Sequence, residues 1–176
     1  MTIDTTDATG SGDAPIEIDP SLYRQVLGHF PTGVTVVSST VDDRPLGLAI
    51  GSFFSVSLDP PLVGFCVART SSTWPLIAQT GVFGISVLAE DQSETSGQFA
   101  SKAADKFEGI SWDPSPITRS PLIHGAVAHI DCELYETHEG GAHLIVAGLV
   151  RSLDVHRPDF GPLLFFKGGY GRHSQL

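Results

Sequence analysis

Short apolar runs rich in β-branched residues, separated by turn residues, recur along the chain and predict strands. Around Ile130, Cys132 and Leu134, apolar and polar residues alternate, which is typical of a half-buried strand with Asp131 on the outer face. A change of phase near residue 150 indicates a bulge or a barrel corner in the following strand. The predicted strands cover residues 34–40, 46–57, 62–67, 82–88, 126–138, 144–155 and 163–166.

Helical spacing is confined to short segments. Apolar residues recur at helical intervals after Asp19 and Pro20, which predicts an amphipathic helix over residues 20–30. Shorter helices are predicted over residues 74–80 and within residues 91–107. Turns are predicted at residues 42–45, 59–61 and 139–141, and proline makes residues 109–121 irregular. Without a regular strand–helix–strand repeat, the predicted fold class is mainly β, a small antiparallel barrel with a few short peripheral helices.

The charge balance excludes two classes of partner. The 176 residues include 10 Lys and Arg against 20 Asp and Glu, a formal net charge of −10. Nucleic acids and anionic membrane surfaces require a basic face, so neither is expected as a partner. Five of the acidic residues and no basic residue lie in residues 1–19, which we predict to be a disordered acidic arm. One domain is predicted over residues 20–176.

The cysteines and the hydropathy indicate the compartment. Cys66 and Cys132 both lie in apolar runs, which predicts two buried free thiols in a reducing cytoplasm rather than a disulfide framework. No apolar run reaches the ~20 residues of a membrane span, and the start of the chain lacks the features of a secretory signal. We therefore expect a soluble cytoplasmic protein.

Familiar motifs for metal, hydrolytic and nucleotide chemistry do not occur. The seven histidines form no HExxH pattern, and the chain has neither GxSxG nor GxxxxGK[ST], so no metal site is predicted. Residues 69–73 hold one guanidinium and four hydroxyls, which fits either a phosphate cradle or a solvated polar loop. In residues 49–57, small residues would let a flat ring approach the backbone beside the hydroxyls of Ser52, Ser55 and Ser57.

Six segments together resemble the flavin reductase family. They are FPTGVTVV at 30–37, GLAIGSFFSVSLDPPL at 47–62, FASK at 99–102, DKF at 105–107, GAH at 141–143 and PLLFFKGGY at 162–170. The resemblance extends from about residue 20 to residue 172. It implies the FMN-binding split-barrel fold, a small antiparallel split β-barrel, and a homodimer with flavin bound near the subunit interface. The family includes reductase components of two-component flavin-dependent monooxygenases.

The resemblance also implies which residues form the site. His143 matches the family histidine near the nicotinamide, and we expect it to position that ring rather than to transfer a proton. Tyr170 and Arg172 match the C-terminal segment that borders the same place. The flavin-binding residues implied by the resemblance are Thr32, Gly33, Val34, Gly51, Ser52, Phe53, Ser55, Arg69, Ser71, Ser72, Thr73, Ala100, Ser101, Lys102 and Phe107.

Two departures from the family pattern affect the expected site. Ala49 and Gly51 stand where relatives often carry a hydroxyl or an amide, which leaves fewer side-chain hydrogen bonds to the flavin ring. Ala142 stands where relatives often carry an aspartate, so the residue before His143 supplies no acid to bias its protonation.

The resemblance implies an NAD(P)H:flavin oxidoreductase that passes a hydride from NADH or NADPH to FMN, or FAD, and supplies reduced flavin to a separate oxygenase. The alternative is a split-barrel flavin-binding protein with a tightly held flavin and no turnover of free flavin. A third possibility is a non-catalytic barrel that binds a partner. Because an acidic chain must then bind two phosphate-bearing cofactors, we expect three cations to matter most, namely Arg69, Lys102 and Arg172.

Overall fold

The computed structural model describes residues 17–175, so most of the predicted arm, residues 1–16, lies outside the described residues. The helices are α1 (Pro20–Leu27), α2 (Trp74–Thr80) and α3 (Ser93–Ala100). The strands are β1 (Thr32–Gly33), β2 (Thr35–Val41), β3 (Arg44–Ile50), β4 (Phe54–Leu58), β5 (Pro61–Ala68), β6 (Val82–Val87), β7 (Trp112–Pro114), β8 (Pro121–Ile123), β9 (Ala128–Gly140), β10 (His143–Val155), β11 (Leu163–Phe166) and β12 (Gly169–Arg172).

The main sheet is antiparallel throughout and has the order β3-β2-β6-β9-β10-β5-β4. Leu48 and Ile50 of β3 belong to the same buried cluster as Phe65 of β5, so the sheet curls until its two ends face one core. Phe65, Trp74 and Phe83 pack edge to face there, with ring centroids 5.4 to 6.2 Å apart. The predicted fold class, a mainly β antiparallel split barrel with few helices, is confirmed.

Several local predictions are confirmed. Asp42 and Asp43 take positive φ angles in the turn between β2 and β3. Gly141, with φ of 67°, lies in the turn of the β9–β10 hairpin. The change of phase near residue 150 corresponds to register shifts at Ala147/Gly148 and Val150/Ser152, where the long hairpin bulges.

The prediction of one strand over residues 46–57 is wrong. β3 ends at Ile50, the chain leaves the sheet over residues 51–53, and β4 begins at Phe54 on the opposite edge of the sheet. The apolar pattern runs through this break because both flanking segments are strands. Strand propensity does not show which neighbour a strand pairs with, so the crossing from one edge to the other leaves no local signal.

The boundaries of two other predicted segments also change. α1 ends at Leu27 rather than at residue 30, because the next N–H groups bond three residues back instead of four: His29 donates to the Val26 carbonyl at 3.1 Å and Phe30 to the Leu27 carbonyl at 3.0 Å. Residues 109–121, predicted as irregular, contain β7 and the start of β8, which pair with each other. Proline is accommodated at the ends of these short strands.

Asp131 is buried, although the alternation places it on the outer face of its strand. The loop between β7 and β8 covers that face, and one oxygen of the Asp131 carboxylate accepts from the backbone N–H groups of Ile117 and Thr118, each at 3.0 Å. The first half of β9 is therefore covered on both faces, and its polar side chain is paired as a buried group must be.

Cys132 is a buried free thiol, as predicted, whereas Cys66 is only half-buried. Burial raises the pKa of the Cys132 thiol to about 12, and the Asp131 carboxylate adds to that effect. The thiol therefore stays protonated and unreactive at neutral pH. Among residues 17–175, the longest helices are much too short to cross a membrane.

Candidate functional site

Two adjoining cavities form one groove beside β3. The larger, of about 790 Å³, lies between residues 45–48, residues 70–73 and a segment after α3. The smaller, of about 320 Å³, reaches residues 48–51, residues 66–68 and His143. We call the union the groove, its larger part the loop end and its smaller part the hairpin end. Both parts are lined by Leu48, Ser71, Ala100 and Lys106.

Hydroxyl groups line one wall of the loop end. The Ser71 hydroxyl accepts from the Trp74 N–H at 3.1 Å, which fixes the loop against the start of α2. Within the described part of the chain, the hydroxyls of Ser72 and Thr73 have no hydrogen-bond partner, and both residues line the groove. This wall therefore offers free donors to an anionic ligand.

The opposite wall is the segment that follows α3, and Gly47 brings it close to β3. A Cβ at position 47 would lie 2.7 Å from the Phe99 ring, so only glycine lets α3 end against the strand. The Ser101 hydroxyl donates to the Gln98 carbonyl at 2.7 Å and ends the helix. Lys102 follows as an exposed cation in the groove.

Lys106 lies where the two parts of the groove meet, and sequence reasoning did not select it. Its Nζ donates to the Phe99 carbonyl at 2.9 Å, and burial lowers the pKa of its ammonium group. The Asp105 carboxylate accepts from the Phe107 N–H at 2.8 Å, a local turn that holds the segment in place. The only sequence signal was the Asp-Lys-Phe motif in the resemblance. Two of the three ammonium hydrogens remain for a ligand.

The hairpin end has small residues on one side and an imidazole on the other. Gly51 lies beside Thr32, whose Oγ1 would be 3.2 Å from a Cβ at position 51. Ala49 and Ala68 line the same place, and His143 closes it. Among the described residues, no side-chain hydrogen bond holds the His143 ring, which is exposed. The hairpin end would therefore let a flat ring approach the backbone closely, with the His143 imidazole at its edge.

Ser52 has a structural task that the sequence did not reveal. Its hydroxyl donates to the Cys66 carbonyl at 3.0 Å and accepts from the Cys66 N–H at 2.8 Å. β4 pairs with β5 only as far as Gly64, so Ser52 replaces the missing strand at Cys66. Its only hydrogen-bond donor is used there, so the Ser52 hydroxyl has no donor left for a ligand.

The structure brings Gly51, Ser71, Ser72, Thr73, Ala100, Ser101, Lys102 and His143 together around the groove, with Thr32 beside them. Val34 and Phe107 are instead buried in the core, and Phe53 packs against it. The Tyr170 hydroxyl donates to Ser96 at 2.8 Å, and the Arg69 Nε donates to the Gly141 carbonyl at 3.0 Å. The other residues outside the two cavities are Gly33, Ser52, Ser55 and Arg172, of which all but Ser52 are exposed.

The fold and the groove together define a class: an antiparallel β-barrel with a surface groove that carries hydroxyl and ammonium donors at one end and small residues at the other. Comparison with known families identifies the class further. The family described as the flavin reductase like domain matches residues 27–174. The chain therefore belongs to the flavin reductase family.

Similar proteins share most of their length with this chain. The reductase subunit of a flavin-dependent monooxygenase from Rhodococcus jostii is 46% identical over 166 residues, which cover 94% of this chain and 84% of the relative. The structure of a nitrilotriacetate monooxygenase component B from Mycobacterium thermoresistibile has a TM-score of 0.84 at 42% identity and covers 88% and 86% of the two chains. The NADH:FAD oxidoreductase of Streptomyces globisporus, solved with NAD and FAD fragments, has a TM-score of 0.83 at 36% identity, with 90% and 97% covered.

Replacing Ser52 with alanine should destabilise the fold, because the Cys66 N–H and carbonyl both lose their partner. The expected loss is about 1–3 kcal/mol in the free energy of unfolding, measured by urea denaturation. Ser55→Ala is the matched control, since Ser55 is exposed on β4 and should change stability by less than about 0.5 kcal/mol. Equal effects of the two substitutions would show that the Ser52 bridge contributes nothing.

Proposed function

We infer that this chain is an NADH:flavin oxidoreductase that supplies reduced flavin to a separate oxygenase component. The observation that carries the inference is the groove, which joins a wall of hydroxyls and lysines to an end lined by small residues and His143. The relatives whose names state a reductase subunit and an NADH:FAD oxidoreductase support the same assignment. A nicotinamide reductant and free thiols agree with a cytoplasmic location.

The groove suits a flavin nucleotide. We assign the phosphate to the loop end, where Ser72, Thr73, Lys102 and Lys106 offer hydroxyl and ammonium donors. We assign the isoalloxazine ring to the hairpin end, where Gly51 lets the ring approach the backbone. FMN and FAD share both parts, so the assignment covers either flavin.

The protein contributes geometry rather than acid–base chemistry. A bound flavin would supply the hydride acceptor, and the nicotinamide the hydride. His143 lies at the edge of the hairpin end and positions the nicotinamide ring against the flavin. Backbone N–H groups near Gly51 would be the donors available to stabilise negative charge on a reduced ring, since the side chains of Ala49, Gly51 and Ala68 carry none. A groove that holds both substrates would replace an unfavourable encounter in solution.

Mixing the purified protein with NADH and a trace of FMN tests the function directly. Absorbance of NADH should fall through many turnovers of flavin, and the rate should saturate with added free FMN. FAD and NADPH in parallel assays define the preferred pair. A yellow protein that holds its flavin through dialysis and does not turn over free flavin would instead establish the alternative, a tightly binding flavoprotein. A colourless, inert protein would contradict both.

Substitution of Lys106 tests the phosphate assignment. Lys106→Met should raise the Kd for FMN about tenfold, because a partly buried ammonium makes a stronger charge-assisted bond than an exposed one. Lys102→Met should have a smaller effect, since Lys102 is exposed. Riboflavin lacks the phosphate, so its Kd should not change, and Lys167→Met, outside the groove, is the control. Equal losses for FMN and riboflavin would contradict a phosphate contact.

We also propose that two copies of the chain form a homodimer, as the family resemblance implies. α1 has no buried residue, and Leu22, Val26 and Leu27 on this helix are each more than half exposed. Phe30, which follows the helix, is 74% exposed. Apolar surface of this extent on one helix is characteristic of an interface, and we assign a second copy to it.

The oligomeric state should depend on that helix. Light scattering of the unaltered protein should give twice the chain mass of 18.7 kDa. Val26→Glu should shift the protein towards a monomer, because burying an unpaired carboxylate costs several kcal/mol. Gln25→Glu adds the same charge at a polar position of the helix and should leave the dimer intact. A monomeric unaltered protein would refute the assignment.

A further inference from the structure

One arginine ties the hairpin that carries His143 to the end of β5. The Arg69 backbone N–H donates to the Ala142 carbonyl at 3.0 Å, and its Nε donates to the Gly141 carbonyl at 3.0 Å. Its guanidinium also forms an ion pair with the Glu139 carboxylate. All of these contacts reach the tip of the β9–β10 hairpin, so the side chain predicted to bind phosphate is engaged elsewhere.

The register of the strands puts this ion pair on the face of the hairpin opposite to His143. His143 lies directly across from Ala68 of β5, whereas Leu144 lies across from Glu139. Successive residues of a strand point to opposite faces, so Glu139 shares its face with Leu144 and not with His143. Arg69 accordingly lines neither part of the groove.

We propose that Arg69 is a positioning residue that fixes the hairpin tip and thereby holds His143 at the hairpin end of the groove. The tip is a tight turn at Gly141, and the residues around it are exposed, so little packing restrains it. Because no hydrogen bond within the described residues holds the His143 ring, its location is set by the backbone, which pairs with Ala68 and Gly140 two residues from the carbonyl that Arg69 contacts. The kinetic consequence rests on the proposed function, whereas the restraint on the hairpin does not.

The charges favour this role over a direct contact with flavin phosphate. The Glu139 carboxylate neutralises the guanidinium, while within residues 17–175 the ammonium group of Lys106 in the groove has only a carbonyl as its partner. The Arg69 and Glu139 side chains are 47% and 70% exposed, so their ion pair adds little to global stability. Loss of the pair should therefore loosen the tip without unfolding the protein.

Arg69→Met and Glu139→Gln test the proposal in the full-length protein. Arg69→Met should raise the KM for NADH about five- to tenfold, and Glu139→Gln about two- to threefold, with the Kd for FMN within twofold of the unaltered protein. Because the two residues act as a pair, the double variant should resemble Arg69→Met alone. His143→Ala sets the upper limit of the effect. Amide hydrogen exchange of residues 140–144 should accelerate in Arg69→Met while the melting temperature stays nearly constant.

Glu133→Gln is the matched control. Glu133 pairs with Arg151 at 3.5 Å on the same two strands but away from the tip, and both side chains are 44% exposed. It should change neither exchange at residues 140–144 nor the KM for NADH.

Two results would overturn the proposal. A rise in the Kd for FMN with an unchanged KM for NADH would make Arg69 a flavin ligand. Unchanged hydrogen exchange at residues 140–144 in Arg69→Met would show that it does not restrain the tip. An unaltered protein that fails to oxidise NADH would refute the proposed function instead, and the exchange experiment would still decide the role of Arg69.

Discussion

The backbone N–H and carbonyl groups of β5 need hydrogen-bond partners on both edges of the strand. The groove lies beyond the point where the partner strand on one edge, β4, ends. β10 pairs with β5 from Leu62 to Ala68, whereas β4 pairs with it only as far as Gly64. At Cys66, the first β5 residue past β4 whose backbone groups face this edge, the Ser52 hydroxyl bonds to both the N–H and the carbonyl. Beyond Cys66, this edge of the sheet is open within residues 17–175. In the described part of the chain, β3 pairs only with β2, so its other edge faces that opening. Backbone groups at sheet edges are strong hydrogen-bonding partners, which makes this split a place for a ligand.

The same constraint explains how much of the fold could be predicted. Alternation and turn residues depend on local sequence, so most strands, the Gly141 hairpin and the bulge near residue 150 follow from the pattern. The break at residues 51–53 is tied to the missing strand partner of β5 at Cys66, which Ser52 replaces. That contact is distant in sequence, so no local pattern indicates it. The burial of Asp131 likewise depends on a loop about 14 residues away in the chain, at Ile117. Both departures arise from tertiary contacts that override local preference.

The candidate site divides in a similar way. The sequence identified three polar groups that line the groove: the hydroxyls of Ser72 and Thr73 and the ammonium group of Lys102. They could be identified because short polar segments of a chain commonly lie on the surface, where they can bind ligands. The contacts of long side chains are harder to predict, because the residue type does not show which way the side chain points. Arg69 turns to the hairpin, while Lys106 turns into the groove from a position two residues past an unremarkable alanine pair. The sequence shows that Arg69 and Lys106 are cations, but it does not show which part of the structure each of them contacts.

The distribution of polar groups favours a flavin that leaves over one that stays. At the loop end, Ser72 and Lys102 are exposed, and exposed charges are screened and contribute little to binding. Of the two lysines that line the groove, Lys106 is the one partly removed from water. At the hairpin end, Ala49, Gly51 and Ala68 offer no side-chain donors, so a bound ring would depend on backbone groups. A permanently held flavin would need a buried, fully paired set of donors. A groove with one half-buried cation and a ring site without side-chain donors instead suits a reductase whose product must dissociate to reach an oxygenase.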